Sequence, residues 1–213
     1  MIRLILASMV VTVAGCTGLL KSEAVPVQVY VLRASSPPNV AAKGQSQALE
    51  EARAAEGASG STASDPSPVA APPPTLQIQR PQADPGLATE LITLVRSDHR
   101  LDRYAGSSWA GNLTDVVETL AIDTLRATGD WAAVHDAPSP FFSEYLLHIN
   151  IRRFEADYTG GGDVPKVYVT PDCTIARRVG RELLTSFIAE GVADADANRM
   201  SAVVSAFEKA ANA

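Results

Sequence analysis

The sequence predicts an α+β domain in which a mostly antiparallel sheet carries two amphipathic helices on one face. Four segments have the two-residue alternation of strands, and two have apolar side chains at the three- and four-residue spacing of amphipathic helices. A helix with one apolar face needs an apolar surface to cover, and the strands supply it. The strand segments are residues 25–32, 75–80, 144–158 and 166–177, and the helical ones are 112–129 and 197–211.

Length and composition indicate one acidic, globular domain. The 213 residues fit a single domain, and an apolar content of 46% suffices for a packed core. The net charge of -6 argues against nucleic-acid binding, which needs clustered lysine and arginine. The chain has two cysteines, Cys16 and Cys173, and no disulfide is expected if Cys16 is modified.

The N-terminus has the pattern of a lipoprotein signal peptide. Residues 1–15 contain one positive charge, an apolar run and small residues before Cys16. The sequence around Cys16 (VAGC) resembles the bacterial lipobox, in which the thiol receives a diacylglyceryl group and the cysteine becomes the mature N-terminus. The alternative is an ordinary signal peptide with a chance cysteine. We expect lipidation of Cys16 and membrane attachment through the lipid.

Residues 16–24 form a short lipidated tether before the domain at residues 25–213. From Thr17 to Ala24 the tether spans at most about 30 Å, so the domain lies close to its own membrane. Thr17 occupies the position where an aspartate would resemble an inner-membrane retention signal. We therefore expect the protein to be anchored to the periplasmic face of the outer membrane and not to the inner membrane.

The first strand, at residues 25–32, is followed by an insertion at residues 34–74. This insertion is rich in Ala, Ser, Gly and Pro and contains no aromatic residue, so it cannot bury enough surface to offset its ordering entropy. We expect a flexible loop within the domain, with at most a helical fragment at residues 47–56. A docking segment that folds on a partner is the alternative. Residues 75–80 then form a half-buried strand that Pro81 ends.

An apolar run begins at Leu91, and a polar turn carrying Tyr104 and Trp109 leads into the first helix. Asn112 is a good N-cap, since its side-chain oxygen can accept a hydrogen bond from a free backbone N–H. Asp115 places negative charge at the positive end of the helix dipole, and Gly129 can adopt the left-handed C-cap. A short return strand ending near Val134 follows the helix.

Residues 144–158 form the most informative strand. Leu147, Ile149 and Ile151 share one face, whereas Phe154 and Ala156 have the opposite parity. A two-residue period changes parity only through an extra residue, which predicts a β-bulge near Arg152 and Arg153. The glycines of residues 159–163 form a turn and lack the lysine and helix of a phosphate-binding loop.

Local patterns conflict at residues 181–193. Leu183, Leu184, Phe187 and Ile188 have helical spacing, whereas hairpin geometry favours a strand after the strand at residues 166–177. We predict a strand. The last helix, at residues 197–211, has a clear apolar stripe that we expect to pack on the sheet beside the first helix.

In the order and spacing of these segments, the domain resembles the ABC-type transport auxiliary lipoprotein family, which includes the lipoprotein of the paraquat-inducible, MCE-type intermembrane transport system. The resemblance runs from about Val25 to the C-terminus, and the insertion at residues 34–74 is longer than the family's usual connection. It is carried by residues 30–32, 76–78, 91–92, 96–109 (RSDHRLDRYAGSSW), the helix to Leu125 and residues 154–158.

The resemblance implies a non-enzymatic auxiliary subunit without a cofactor. Its partners would be an MCE-type substrate-binding protein with its permease and ATPase, which move lipids or other hydrophobic molecules across the envelope. The resemblance also makes self-association into a homo-oligomer plausible. Two alternatives stay open: a periplasmic lipid-binding shuttle, which needs a sizeable apolar cavity, and a structural envelope lipoprotein without a transport role.

The sequence contains no catalytic or metal-binding motif. His99, His135 and His148 lack partners at metal-ligand spacing. The charged residues 98–103 are typical of a solvated turn.

Arg103, Tyr104 and Trp109 are the candidate partner-binding residues, because Tyr, Trp and Arg are enriched in binding hot spots. A second interpretation of Trp109 is that it packs over the start of the first helix as part of the core.

Overall fold

The computed structural model describes residues 26–35 and 72–213. The predicted signal peptide, Cys16, the tether and most of the predicted insertion lie outside the described residues. None of the helices in the described ranges is long and apolar enough to cross a bilayer.

The described residues form ten strands and two α-helices. The strands are β1 (Gln28–Tyr30), β2 (Thr75–Ile78), β3 (Gln82–Ala83), β4 (Leu91–Val95), β5 (Leu101–Trp109), β6 (Ala133–His135), β7 (Tyr145–Asp157), β8 (Lys166–Arg177), β9 (Glu182–Ile188) and β10 (Gly191–Asp194). The helices are α1 (Leu113–Thr128) and α2 (Met200–Ala211), and a 3₁₀ turn at Val179–Arg181 joins β8 to β9.

Strand β7 organises a single sheet. One side of β7 pairs antiparallel with β8 along its whole length, and the other pairs parallel with β2, β3 and β4 in succession. The sheet continues from β4 through β5 to β1, from β2 to β6, and from β8 to β9 and β10. The predicted α+β class is confirmed. The sheet is mixed and not purely antiparallel, because β2, β3 and β4 pair in succession with one edge of β7 and run in the same direction as β7.

The predicted β-bulge in β7 is confirmed. The register with β8 shifts between Ile151 and Arg153, which leaves Arg152 without a paired residue. Ile149 and Ile151 before the bulge and Phe154 and Ala156 after it are all buried. The extra residue therefore keeps one apolar face of a 13-residue strand on the core.

The predicted caps of α1 are confirmed. The side chain of Asn112 accepts a hydrogen bond from the backbone N–H of Thr114, and Gly129 adopts the left-handed conformation with φ 75°. The second helix begins at Met200, three residues later than predicted, because residues 197–199 make a tight turn in which the N–H of Arg199 donates to the carbonyl of Ala197.

The predicted strand at residues 181–193 is confirmed and consists of two strands, β9 and β10. Every residue of β9 is exposed, and within the described structure β9 pairs only with β8. Because β9 carries apolar residues on both faces, their spacing resembles that of a helix. This explains why the sequence pattern at residues 181–193 fitted both a helix and a strand.

Strand β2 differs from its predicted half-buried pattern. Gln77 is buried, and its side-chain Nε2 donates to the carbonyl oxygens of Asp136 and Ala137. Because β2 lies between β6 and β7, the loop after β6 covers the face that the sequence pattern assigned to solvent.

Candidate functional site

Strand β5 carries the three candidate partner-binding residues, Arg103, Tyr104 and Trp109. The predicted polar turn is wrong for most of its length, because the chain reverses earlier, at residues 97–100, where His99 has a φ of 62°. In the pairing of β4 with β5, Arg103 lies opposite Thr93 and Ser108 opposite Leu91. Residues 104–107 therefore bulge opposite a single residue of β4, and bulges of this kind re-aim side chains.

Trp109 lies in the core. Its side chain is 2% exposed and makes edge-to-face contacts with Phe154 and Phe207, with ring centroids 5.8 and 5.1 Å away. Phe154 and Phe207 stack at 5.0 Å, so the three rings join β5, β7 and α2. This geometry favours the core-packing interpretation of Trp109.

Tyr104 is half-buried and begins a chain of hydrogen bonds. Its hydroxyl lies 2.9 Å from that of Tyr158, which donates to Oδ1 of Asn198 at 2.9 Å. Since a hydroxyl has a single proton, Tyr104 is the donor to Tyr158. Burial, together with the bond to Tyr158, raises the pKa of the Tyr104 phenol above its ordinary value, so the hydroxyl keeps its proton over a wider pH range.

Arg103 and Tyr104 line a polar cavity of about 590 Å³ that also includes Tyr158, Asn198 and Arg96. Arg96 is paired with Asp102 at 2.6 Å. The backbone N–H of Arg103 and the guanidinium of Arg96 lower the pKa of the Asp102 carboxyl. The site therefore presents hydrogen-bond donors and the exposed Arg103 guanidinium to a polar or acidic partner.

The structure thus separates the predicted trio, bringing Arg103 and Tyr104 together at the surface and placing Trp109 in the core. Sequence reasoning missed Asn198 and assigned Tyr158 only a strand position. Both residues belong to segments far from Tyr104 in sequence. The alternation of apolar residues around Tyr158 was the only local signal for the face on which its side chain lies.

A second, apolar cavity of about 380 Å³ lies between α1, the end of α2 and the sheet face of β7, β8 and β9. Its walls include Leu120 and Leu125 of α1, Ile149 and Ile151 of β7, and Cys173 and Ile175 of β8. The sequence pattern placed Ile149 and Ile151 on one face of their strand. What it missed is that the two helices do not cover all of that face.

The described residues contain no arrangement that suggests catalysis. Across residues 26–35 and 72–213, no group of three His, Cys, Asp or Glu side chains could hold a metal ion. His148 is exposed on β7 opposite Thr174, and Asp98 lies 4.0 Å from Arg100 in the solvated turn. Burial raises the pKa of the Cys173 thiol, which disfavours the nucleophilic thiolate.

Comparison with solved structures shows the same fold elsewhere. A crystal structure of a protein from Xanthomonas campestris matches with a TM-score of 0.63 and 21% identity, covering 87% of this chain and 88% of that one. A crystal structure described only as an uncharacterized protein matches with a TM-score of 0.55 and 14% identity, covering 65% and 85%. No curated protein gives a significant sequence match.

Comparison with protein-family models gives a match over most of the chain. The model described as "ABC-type transport auxiliary lipoprotein component" matches residues 58–213. The matched range contains strands β2 to β10 and both described helices.

Proposed function

The chain belongs to the ABC-type transport auxiliary lipoprotein family, and we propose that it is a non-enzymatic, lipid-anchored subunit of an MCE-type transporter. In this proposal the transporter moves lipids or other hydrophobic molecules across the cell envelope. The family match over residues 58–213 carries the proposal. The surface around Arg103 and Tyr104 offers polar contacts to a partner, which supports an auxiliary role.

Membrane attachment through Cys16 is part of the proposal. The predicted tether from Thr17 to Ala24 spans at most about 30 Å, so the domain would lie close to the membrane. Two acyl chains make anchoring stable, since each buried methylene contributes about 0.8 kcal/mol. With Thr17 after the cysteine, we place the anchor in the outer membrane, facing the periplasm.

Replacing Cys16 with serine should abolish acylation of the full-length protein. Metabolic labelling with an alkyne fatty acid, followed by fractionation of the envelope, measures this. Cys173→Ser is the matched control, because Cys173 is buried in the folded domain and should have no part in labelling. Label that persists in Cys16→Ser, or that is lost in Cys173→Ser, would contradict lipidation at Cys16.

We assign partner contact to Arg103 and Tyr104, with Trp109 supporting the strand from the core. The partner is an MCE-type substrate-binding protein together with its permease and ATPase. Arg103 is exposed at the rim of the polar cavity, and the hydrogen-bond chain through Tyr158 to Asn198 fixes the Tyr104 ring. Tyrosine and arginine are both enriched in interface hot spots.

In-cell crosslinking of the full-length protein, followed by affinity purification and mass spectrometry, tests both the function and the contact. We expect recovery of the MCE-type protein with its permease and ATPase. Arg103→Ala should reduce that recovery roughly fivefold or more, as expected for a hot-spot side chain worth over 1 kcal/mol. Crosslinked species at multiples of the monomer mass would reveal self-association in the same experiment.

Arg100→Ala is the control for Arg103→Ala, because Arg100 is a nearby exposed arginine that does not line the polar cavity. Equal losses in the two variants would argue against a specific contact at Arg103. Recovery of outer-membrane or peptidoglycan-associated proteins alone would favour a structural envelope lipoprotein and refute the transport role.

A further inference from the structure

The apolar cavity extends along β8. One wall follows β8 from Val169 to Ile175, a length of about 20 Å at the rise of a β-strand. Along that length, a volume of about 380 Å³ is enough to hold one extended hydrocarbon chain.

The chemistry of the lining selects against polar ligands. Among the described residues around the cavity, none is charged, and the hydroxyl of Thr124, the indole N–H of Trp131 and the thiol of Cys173 are the only polar side-chain groups. A ligand with buried polar atoms would lose hydrogen bonds to water without replacing them. An apolar lining of this kind favours apolar ligands.

We propose that this cavity binds one acyl chain of a membrane phospholipid. In this proposal the acyl chain lies between α1 and the face of β7 and β8. Phe187 of the exposed edge strand β9 lines one side of the cavity. The headgroup remains outside, since the lining offers nothing to pair with it. The domain itself would therefore bind the hydrophobic molecule that the proposed transporter moves.

The insertion is a poor alternative occupant. The chain leaves the described residues after Ser35, whose N–H donates to Asn212 beside the lining residue Ala211, and it returns at Pro72. Residues 36–71 contain only three apolar side chains larger than alanine and proline, which are Val40, Leu49 and Val69. Three aliphatic side chains spread over 30 residues are few for an apolar cavity of about 380 Å³.

The inference rests on the proposed anchor at Cys16 for its source of lipid, because a lipid anchor would hold the domain at the bilayer surface. The test uses the full-length protein in nanodiscs of phosphatidylethanolamine and phosphatidylglycerol. A fraction of the phosphatidylethanolamine carries a diazirine near the end of one acyl chain. After illumination, mass spectrometry locates the lipid adducts on the protein.

We expect adducts on the cavity walls, within α1 and β8. Ala121→Phe, which narrows the cavity, and Thr124→Asp, which places a charge in it, should each reduce these adducts about tenfold or more. Ala127→Phe is the matched control, since Ala127 lies on the same helix outside the lining. Melting temperatures show whether each variant remains folded, and two variants of different chemistry guard against a folding defect in either one.

Adducts restricted to residues outside the walls, or unchanged in both cavity variants, would overturn the proposal. If wall adducts arise only in Cys16→Ser, the protein's own lipid anchor is the occupant of the cavity. If they arise only after deletion of residues 38–70, the insertion is the occupant. Either result would also overturn the proposal. Wall adducts without recovery of a transporter would refute the proposed function and leave the lipid site standing.

Discussion

Replacing Trp109 with alanine is expected to destabilise the domain by about 3–5 kcal/mol, the usual cost of removing a large aromatic side chain from a core. The substitution removes two edge-to-face contacts and leaves a cavity between β5, β7 and α2. Because Phe154 and Phe207 lose their shared neighbour, the packing of α2 on the sheet weakens as well. At this chain length, such a loss lowers the melting temperature by roughly 10 °C, and calorimetry and urea denaturation measure it.

Trp131→Ala is the control for this prediction. Trp131 is half-buried and has one edge-to-face contact, with Tyr145 at 6.0 Å, so its loss should be clearly smaller. Partner recovery by folded Trp109→Ala protein should remain normal. A nearly unchanged melting temperature combined with lost partner recovery would show instead that Trp109 acts at the interface.

Replacing Gly191 with alanine should destabilise the domain by about 3 kcal/mol or more, at the upper end of overpacking effects. Gly191 is the first residue of β10 and pairs with Val169 of β8. A β-carbon built on Gly191 would lie 1.7 Å from the carbonyl oxygen of Ala210 in α2. Because the obstacle is backbone in the last turn of α2, that turn must shift away from β10. Thermal and urea unfolding of the purified variant measure the loss.

Gly160→Ala is the matched control for Gly191→Ala. No heavy atom lies within 4 Å of a β-carbon at Gly160, so the change should stay within about 0.5 kcal/mol. Similar stability of the two variants would mean that α2 does not pack directly against the backbone of β10.

Much of the fold could be predicted because its signals are local. The caps of α1 depend on Asn112 and Gly129, a few residues from the helix they bound. The bulge at Arg152 follows from a change of parity within one strand. The strand at residues 181–193 was harder, since β9 lies at an exposed edge and shows no alternation between buried and exposed positions.

The candidate sites were less predictable because each depends on the register of distant segments. Arg103 and Tyr104 were identified as candidates, but their neighbours Tyr158 and Asn198 come from the end of β7 and the turn before α2. No local pattern states that a tyrosine 54 residues away accepts a hydrogen bond from Tyr104. The mixed pairing of the sheet could not be predicted for the same reason. The sequence of β2 or of β7 alone does not determine whether the two strands pair parallel or antiparallel.

The sequence by itself determined the α+β class, the helix caps, the bulge in β7 and the family, because periodicity, capping chemistry and the order of segments are properties of neighbouring residues. Only the tertiary structure decided that Trp109 belongs to the core while Tyr104 reaches the surface. The reason is that Trp109 packs against Phe154 of β7 and Phe207 of α2, whereas Tyr104 lines the polar cavity and bonds to Tyr158. The apolar cavity likewise depends on where α1 and α2 pack on the sheet. Because those positions are set by contacts between distant segments, no local sequence pattern predicts the cavity.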